Sequence, residues 1–599
     1  MSTPAPRALY LEVEGAAPIF AVLHMPSESA RSDVAVLICP PFGWEDICSY
    51  RSRRAWAENL AQAGHPTLRI DLPGSGDSGG SPEDAGLLSA WVQAVGSATD
   101  WLSRTGGCSR VAGIGIGLGG LLLCCAAADG APLTEMVLWG VPARGRAFVR
   151  ELGAFGRLES TKFAPHGGPN PPELPDGYTG AGGYVLSAET TASLSALDLS
   201  ALALGPPHPG RVLLLGRDGI AADSALHDHL LSSGAHVSVA AGEGYGAMMA
   251  EPQEARPPLG VFADVRRWLS ERPPAPASAE ASGPPGEHPA PVGRSAPPAV
   301  EREHAELTID GVRIRERPIR IEQPFGSIFG ILSEPESNPP GELGAILLNA
   351  GAIRRVGPNR MWVELARRWA ARGVPTMRLD LEGFGDADGD SSRFTDVSEL
   401  YVPELVAQVE AALGCMAAAT AADRFALVGL CSGAYWSFHG ALRDERVVAA
   451  FMLNPRTLFW DASQETVRYL RRGLLKPDSW RMVLSGEVPL PKVAGVVRRA
   501  PASVLRRMSE ARGSRGEPDE LELALERLLD DGKQLVFMFS EGEPLHEELE
   551  RHGRLAAVNV PVELIPGRDH TLRPLYAQEA AHRALDMALS QQLAARAPV

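Results

Sequence analysis

One pattern occurs twice in this chain, and it constrains the fold more than any other feature. Val34 to Gly80 reads VAVLICPPFGWEDICSYRSRRAWAENLAQAGHPTLRIDLPGSGDSGG, and Gly344 to Gly389 reads GAILLNAGAIRRVGPNRMWVELARRWAARGVPTMRLDLEGFGDADG. Gly64 matches Gly373, Asp71 matches Asp380, and Gly74-x-Gly76-Asp77 matches Gly383-x-Gly385-Asp386, all at one offset. Each block runs apolar strand, loop, amphipathic helix and second strand, ending in a glycine turn. In the later block Ile346–Leu348 is the first strand, Trp362–Ala371 the helix and Thr376–Leu379 the second strand. Strands alternating with helices predict an α/β fold, with a mostly parallel sheet covered on both faces. Ligands then bind beyond the carboxyl ends of the strands. The period is far longer than the roughly 20–50 residues of a solenoid repeat, so a whole domain is duplicated.

The break between the copies is compositional. Pro273 to Pro298 reads PPAPASAEASGPPGEHPAPVGRSAPP, with Val292 its one large apolar residue. Such a stretch cannot bury enough surface to offset the entropy of ordering it, which predicts a linker. The domains expected are therefore 1–272, a linker over 273–300, and 301–599. A 599-residue chain accommodates this division, since single cores rarely exceed about 250–300 residues.

A net charge of −16 disfavours nucleic acid or an anionic membrane as partner, because both select basic surfaces. Two basic clusters, Arg468, Arg471, Arg472 and Lys476, then Arg498, Arg499, Arg506 and Arg507, read as solvated helix faces. Seven cysteines are too few, and odd in number, for a disulfide framework. With an N-terminus lacking a basic start and apolar run, this gives a cytoplasmic expectation. Val111 to Ala128 is uncharged and about the length of a membrane span. Its alternating glycines, Gly113, Gly115, Gly117, Gly119 and Gly120, weaken a helix and predict a buried strand, a turn and a buried helix. No membrane span is expected.

The most informative segment is RFALVGLCSGAYWSF, Arg424 to Phe438. An apolar strand runs into Gly429-Leu430-Cys431-Ser432-Gly433, followed by an apolar helix. This is the nucleophile-elbow pattern, in which the residues two before and two after the nucleophile crowd together and must be small. That registers Cys431 as the nucleophile; a shift to Ser432 would put Leu430 in a crowded position. The adjoining helix N-terminus favours a thiolate there.

On these residues both halves resemble the α/β-hydrolase superfamily, including the D-x-x-G-x-G-D loop found twice. The resemblance implies two tandem α/β-hydrolase domains, each an eight-stranded sheet with a helical cap after strand six, and a triad in the order nucleophile, acid, histidine. Dienelactone hydrolases, polyhydroxyalkanoate synthases and some thioesterases resemble this chain in carrying cysteine at the nucleophile. The histidine expected after the last strand, Val562–Ile565, is His570. The acid expected after the strand Lys533–Phe539 is Glu543, with Glu541 the alternative, and Asp569 is read as a turn residue. The oxyanion hole is expected from the N–H of Ser432 and that of Ala352 or Gly351. The cap falls at about 456–531, with Trp460, Tyr469, Leu474 and Trp480 shaping an acyl pocket.

The first half lacks this chemistry. Its elbow, Gly115-Ile116-Gly117-Leu118-Gly119, has glycine in the nucleophile slot, and no histidine occurs between Gly242 and Arg272. Asp218 or Asp223 is a surviving acid with nothing to orient; His208, His227, His229 and His236 precede the histidine loop. This half reads as a pseudo-enzyme. Gly115-x-Gly117-x-x-Gly120 formally matches a dinucleotide fingerprint, but no carboxylate ends the next strand, Met136–Trp139. His546-Glu547 begins like a zinc motif, yet Glu550 stands where its second histidine belongs. No cofactor or metal is expected. The function expected is hydrolysis or transfer of an acyl group from a small-molecule or carrier-bound ester or thioester. The alternative is a non-catalytic binding scaffold of two degenerate domains. Association of like chains is left open.

Overall fold

The computed structural model describes residues 4–28, 31–164, 172–203, 210–271, 298–336, 342–460, 520–551 and 559–594. Most of the expected linker lies outside these residues, as do Tyr469, Leu474, Trp480, His208 and both basic clusters.

Two nine-stranded sheets organise the chain. The strands of the first half are β1 (Arg7–Glu12), β2 (Ile19–His24), β3 (Val34–Cys39), β4 (Thr67–Ile70), β5 (Arg110–Ile116) and β6 (Glu135–Trp139). After the small hairpin β7 (Thr179–Ala181) and β8 (Tyr184–Leu186) come β9 (Arg211–Leu215), β10 (His236–Ala240) and β11 (Val300–Arg302). The second half holds β12 (Ala305–Ile309), β13 (Val312–Gln323), β14 (Gly326–Pro335), β15 (Leu343–Leu348) and β16 (Thr376–Asp380). It continues with β17 (Arg424–Leu430), β18 (Val447–Leu453), β19 (Gln534–Ser540) and β20 (Val562–Ile565).

The first sheet runs β10-β9-β6-β5-β3-β4-β2-β1-β11 and the second β20-β19-β18-β17-β15-β16-β14-β13-β12. In each, six strands are parallel and three at one edge are antiparallel. Each sheet has one strand more than the eight expected. The additions are β11, which pairs with β1 from beyond the linker, and β12, which pairs with β13. Without these two, the strand orders coincide. The apolar run Val111–Ala128 divides into β5, a turn at Gly117 and the buried helix Leu118–Ala128.

Helices cover both faces. Met361–Ala371 shows why: Trp362, Leu365, Ala366 and Trp369 are buried, while Glu364 stands on the opposite face. It stops at Gly373, whose φ of 87° suits the left-handed residue that closes helices. A strand such as β17, with every residue but Arg424 buried, reads as a continuous apolar run because helices cover it on both sides.

The halves meet through a buried ionic network. The chain after β15 sends Arg354 to Asp71 (2.9 Å) and Asp46 (3.2 Å), both of the first half. Arg355 pairs with Asp77 of the first half and with Asp380 of its own, each at 2.7 Å, and with Asp386 at 2.8 Å. Arg360 donates to the carbonyls of Gly76, Ser78 and Gly80. In the reverse direction Arg69 and Tyr50 bind Asp386 at 2.6 and 2.5 Å. The duplicated D-x-x-G-x-G-D loops thus face each other across arginines.

Candidate active site

Cys431 caps the helix Ser432–Arg443 with φ 58° and ψ −110°, a conformation a non-glycine residue adopts only when its surroundings hold it there. The crowding that predicted the framing glycines is real. A Cβ on Gly429 would lie 2.0 Å from the Gly433 carbonyl oxygen, and one on Gly433 would lie 2.5 Å from that of Leu348. Only hydrogen fits between those backbones. The strained turn raises the half-buried Cys431 at the carboxyl end of β17.

His570 follows β20 and faces Cys431. Its Nδ1 lies 2.9 and 3.0 Å from the two oxygens of Glu543. That carboxylate is 6% exposed. Glu543, not Glu541, is therefore the carboxylate brought to the histidine; Glu541 is exposed and its N–H donates to the Gly567 carbonyl. Asp569 turns away from the ring to Arg573, bonding its N–H and its Nε at 2.9 Å each. Asn454, which sequence reasoning missed, secures the loop: its amide nitrogen donates to the His570 carbonyl (2.8 Å) and to Ser540 Oγ.

The electrostatics are those of a coupled thiol and imidazole. Burial pushes the Cys431 thiol up, but the adjacent, hydrogen-bonded His570, then Arg456 and the Ser432 N–H, bring it below its ordinary value. Burial pushes His570 down, and the Cys431 charge and hydrogen bond, with Glu543 behind, carry it well above the ordinary histidine range. Each group stabilises the charged form of the other.

Of the expected oxyanion donors, the Ser432 N–H points to Cys431. The Gly351 N–H donates to Ser432 Oγ at 2.9 Å. For the Ala352 N–H no acceptor is found among the described residues. Trp460, expected in the cap, stacks on Tyr401 with ring centroids 4.5 Å apart.

In the first half the same elbow is built around Gly117, with φ 52° and ψ −115°. Tyr245, three residues past Gly242 as His570 is past Gly567, occupies the histidine position, and Asp218 the acid position three residues past β9. Asp218 accepts N–H bonds from Tyr245 (3.2 Å) and Gly246 (2.6 Å), whereas Asp223 caps the helix Ser224–Ser232. Tyr245 OH reaches Glu45 at 3.3 Å. Burial, then Glu151, pushes the Glu45 carboxyl up to about 7. The dinucleotide-like glycines serve packing: a Cβ on Gly120 would meet Val141 at 2.1 Å. His546 stacks on Phe539 and pairs with Glu550 at 3.4 Å. Among the described residues no group of three potential ligands converges to hold a metal.

Residues 346–585 match the family model described as "Alpha/beta hydrolase family". The matched stretch runs from β15 into the last helix of the second half. Solved structures similar to the chain include Est1E of Butyrivibrio proteoclasticus, with ferulic acid bound. It is 18% identical, covers 43% of this chain and 97% of its own, and has a TM-score of 0.32. A putative dienelactone hydrolase of Klebsiella pneumoniae is 13% identical over 46% of this chain and 98% of its own, with a TM-score of 0.30. A lidless serine hydrolase of Xanthomonas campestris is 15% identical over 45% and 97%, with a TM-score of 0.29. No curated protein matches the sequence.

Proposed function

We propose that the second half cleaves or transfers acyl groups from an ester or thioester through a covalent intermediate on Cys431. The observation that carries this reading is the line Glu543–His570–Cys431, with Glu543 2.9 Å from Nδ1 and the thiol lowered by the imidazole on its other side. The Cys431 thiolate attacks the acyl carbonyl, and the tetrahedral oxyanion is received by the N–H groups of Ser432 and Ala352. As the C–O or C–S bond breaks, His570 Nε2–H gives its proton to the leaving alkoxide or thiolate. The acyl group then rests on sulfur as a thioester. His570 takes a proton from water, or from an alcohol, thiol or amine acceptor, as that nucleophile attacks and returns the thiolate. Glu543 holds the productive tautomer and stabilises the imidazolium. We read the first half as a duplicated domain without turnover of its own, since Gly117 has no nucleophile and Tyr245 no basic nitrogen.

The reading is tested with p-nitrophenyl esters and short acyl thioesters. Turnover lost in Cys431→Ala and in His570→Ala, with folding unchanged, supports it. Unchanged turnover in Cys431→Ala removes it.

A further inference from the structure

The loop that carries His570 is anchored on the other half of the chain. Arg573, three residues past the histidine and 6% exposed, is gripped from two directions. Within its own loop it binds Asp569, the residue before His570. From the first half, Glu159 pairs with it at 3.0 Å and Glu251 accepts its Nη1 at 3.3 Å. The aromatic rings of Trp44 and Phe163, also of the first half, flank the guanidinium at 4.7 and 4.6 Å. The Phe163 carbonyl accepts the Arg568 N–H and the Tyr576 hydroxyl, both at 3.2 Å. The segment 568–576 is thus pinned at its start, middle and end by the helix Gly145–Lys162, the residue after it and the loop at Glu251.

We infer that Arg573, Glu159 and Glu251 are positioning residues for His570, so that the first half sets the catalytic geometry of the second; this rests on the reading of Cys431 and His570 given above. The thiolate–imidazolium pair forms only at hydrogen-bond reach, and a misplacement near 1 Å costs on the order of a hundredfold in rate. A guanidinium held by Asp569 alone would have one anchor in the very loop it must steady. The two first-half carboxylates and rings supply the fixed side. Because the pair is net neutral, removing distant charges biases its formation little, whereas moving the ring alters it directly.

The test uses the full chain and reads Cys431 itself. Iodoacetamide alkylation of Cys431, followed by peptide mass against pH, reports the thiolate without requiring turnover. In Glu159→Ala/Glu251→Ala the alkylation rate at neutral pH is expected to fall at least tenfold and its midpoint to rise. Glu159→Gln/Glu251→Gln, whose amide oxygens still accept from Arg573, is expected to return within threefold of wild type. Arg51→Ala, which loses a bond to Ser391 across the same boundary, is expected to leave the profile unchanged. Glu251→Ala alone, at a half-exposed site, serves where the double variant does not fold, with a smaller shift of the same sign. An unchanged profile in a folded alanine variant overturns the positioning role. A profile that shifts as expected while no acyl adduct ever forms keeps the positioning role and refutes the acyl-transfer reading instead.

Discussion

Arg355 lies 2.7 Å from Asp77 across the boundary between the halves, and both side chains are wholly buried. Asp380 and Asp386 share the same guanidinium, so three carboxylates converge on one cation. Removing one partner of a buried pair leaves uncompensated charge and costs about 3–5 kcal/mol. Arg355→Ala is expected to lose that much stability in urea unfolding. Arg104→Ala, which breaks the exposed pair with Asp100, is expected to change stability by less than about 1 kcal/mol.

The same network sets an acid limit. Burial pushes Asp386 up, but Arg69 and Arg355 hold it well below the ordinary carboxylate range. A carboxylate depressed in the fold contributes stability above its unfolded pKa, about 3.9, and loses it as pH falls toward the folded value. Glu316, buried yet lowered by Arg367 and Arg378, acts in the same direction, while Asp380, raised by burial, opposes them. Stability is expected to decline below about pH 4, and less steeply in Arg69→Gln; a midpoint insensitive to pH between 5 and 2 would contradict this.

At the elbow the two halves give a matched comparison. Gly433→Ala drives a Cβ against the Leu348 carbonyl, so loss of folding or of all activity is expected. Gly117→Ala meets nothing closer than 3.7 Å and costs only backbone strain, about 1–3 kcal/mol. It is expected to fold and to keep full ester turnover, measured with the same substrates.

The two carboxylates beside β19 should separate in kinetics. Glu543→Gln leaves His570 without its charged partner, and kcat is expected to fall about a hundredfold or more, in the range of general acid–base contributions. Glu541→Gln is expected to stay within about twofold, since Glu541 is exposed and Glu543 holds the ring. Steady-state rates of both variants decide the assignment.

What the sequence revealed was whatever steric and periodic rules impose locally. The paired glycines register Cys431 because no other side chain fits at 429 or 433, and the mostly parallel sheet follows from the alternation of strands and helices. The choice between Glu543 and Glu541 was open because both sit in one loop and only the path of the chain aims one at His570. That a serine hydroxyl takes the Gly351 N–H was likewise invisible to spacing. The arginines Arg354, Arg355 and Arg573 were missed altogether. Their partners across the boundary lie hundreds of residues away, and no local period encodes a contact between halves. The place of Tyr245 had a signal in the shared spacing from Gly242 and Gly567, read only once both strands β10 and β20 are fixed.

The most direct test of the acyl-enzyme on Cys431 is intact-protein mass after brief mixing with activated esters and acyl thioesters. A mass gain equal to the acyl group, mapped to Cys431, absent in Cys431→Ala and longer-lived where His570→Ala still forms it, is the expected result. An adduct on another residue, or steady turnover by Cys431→Ala without any adduct, would contradict it.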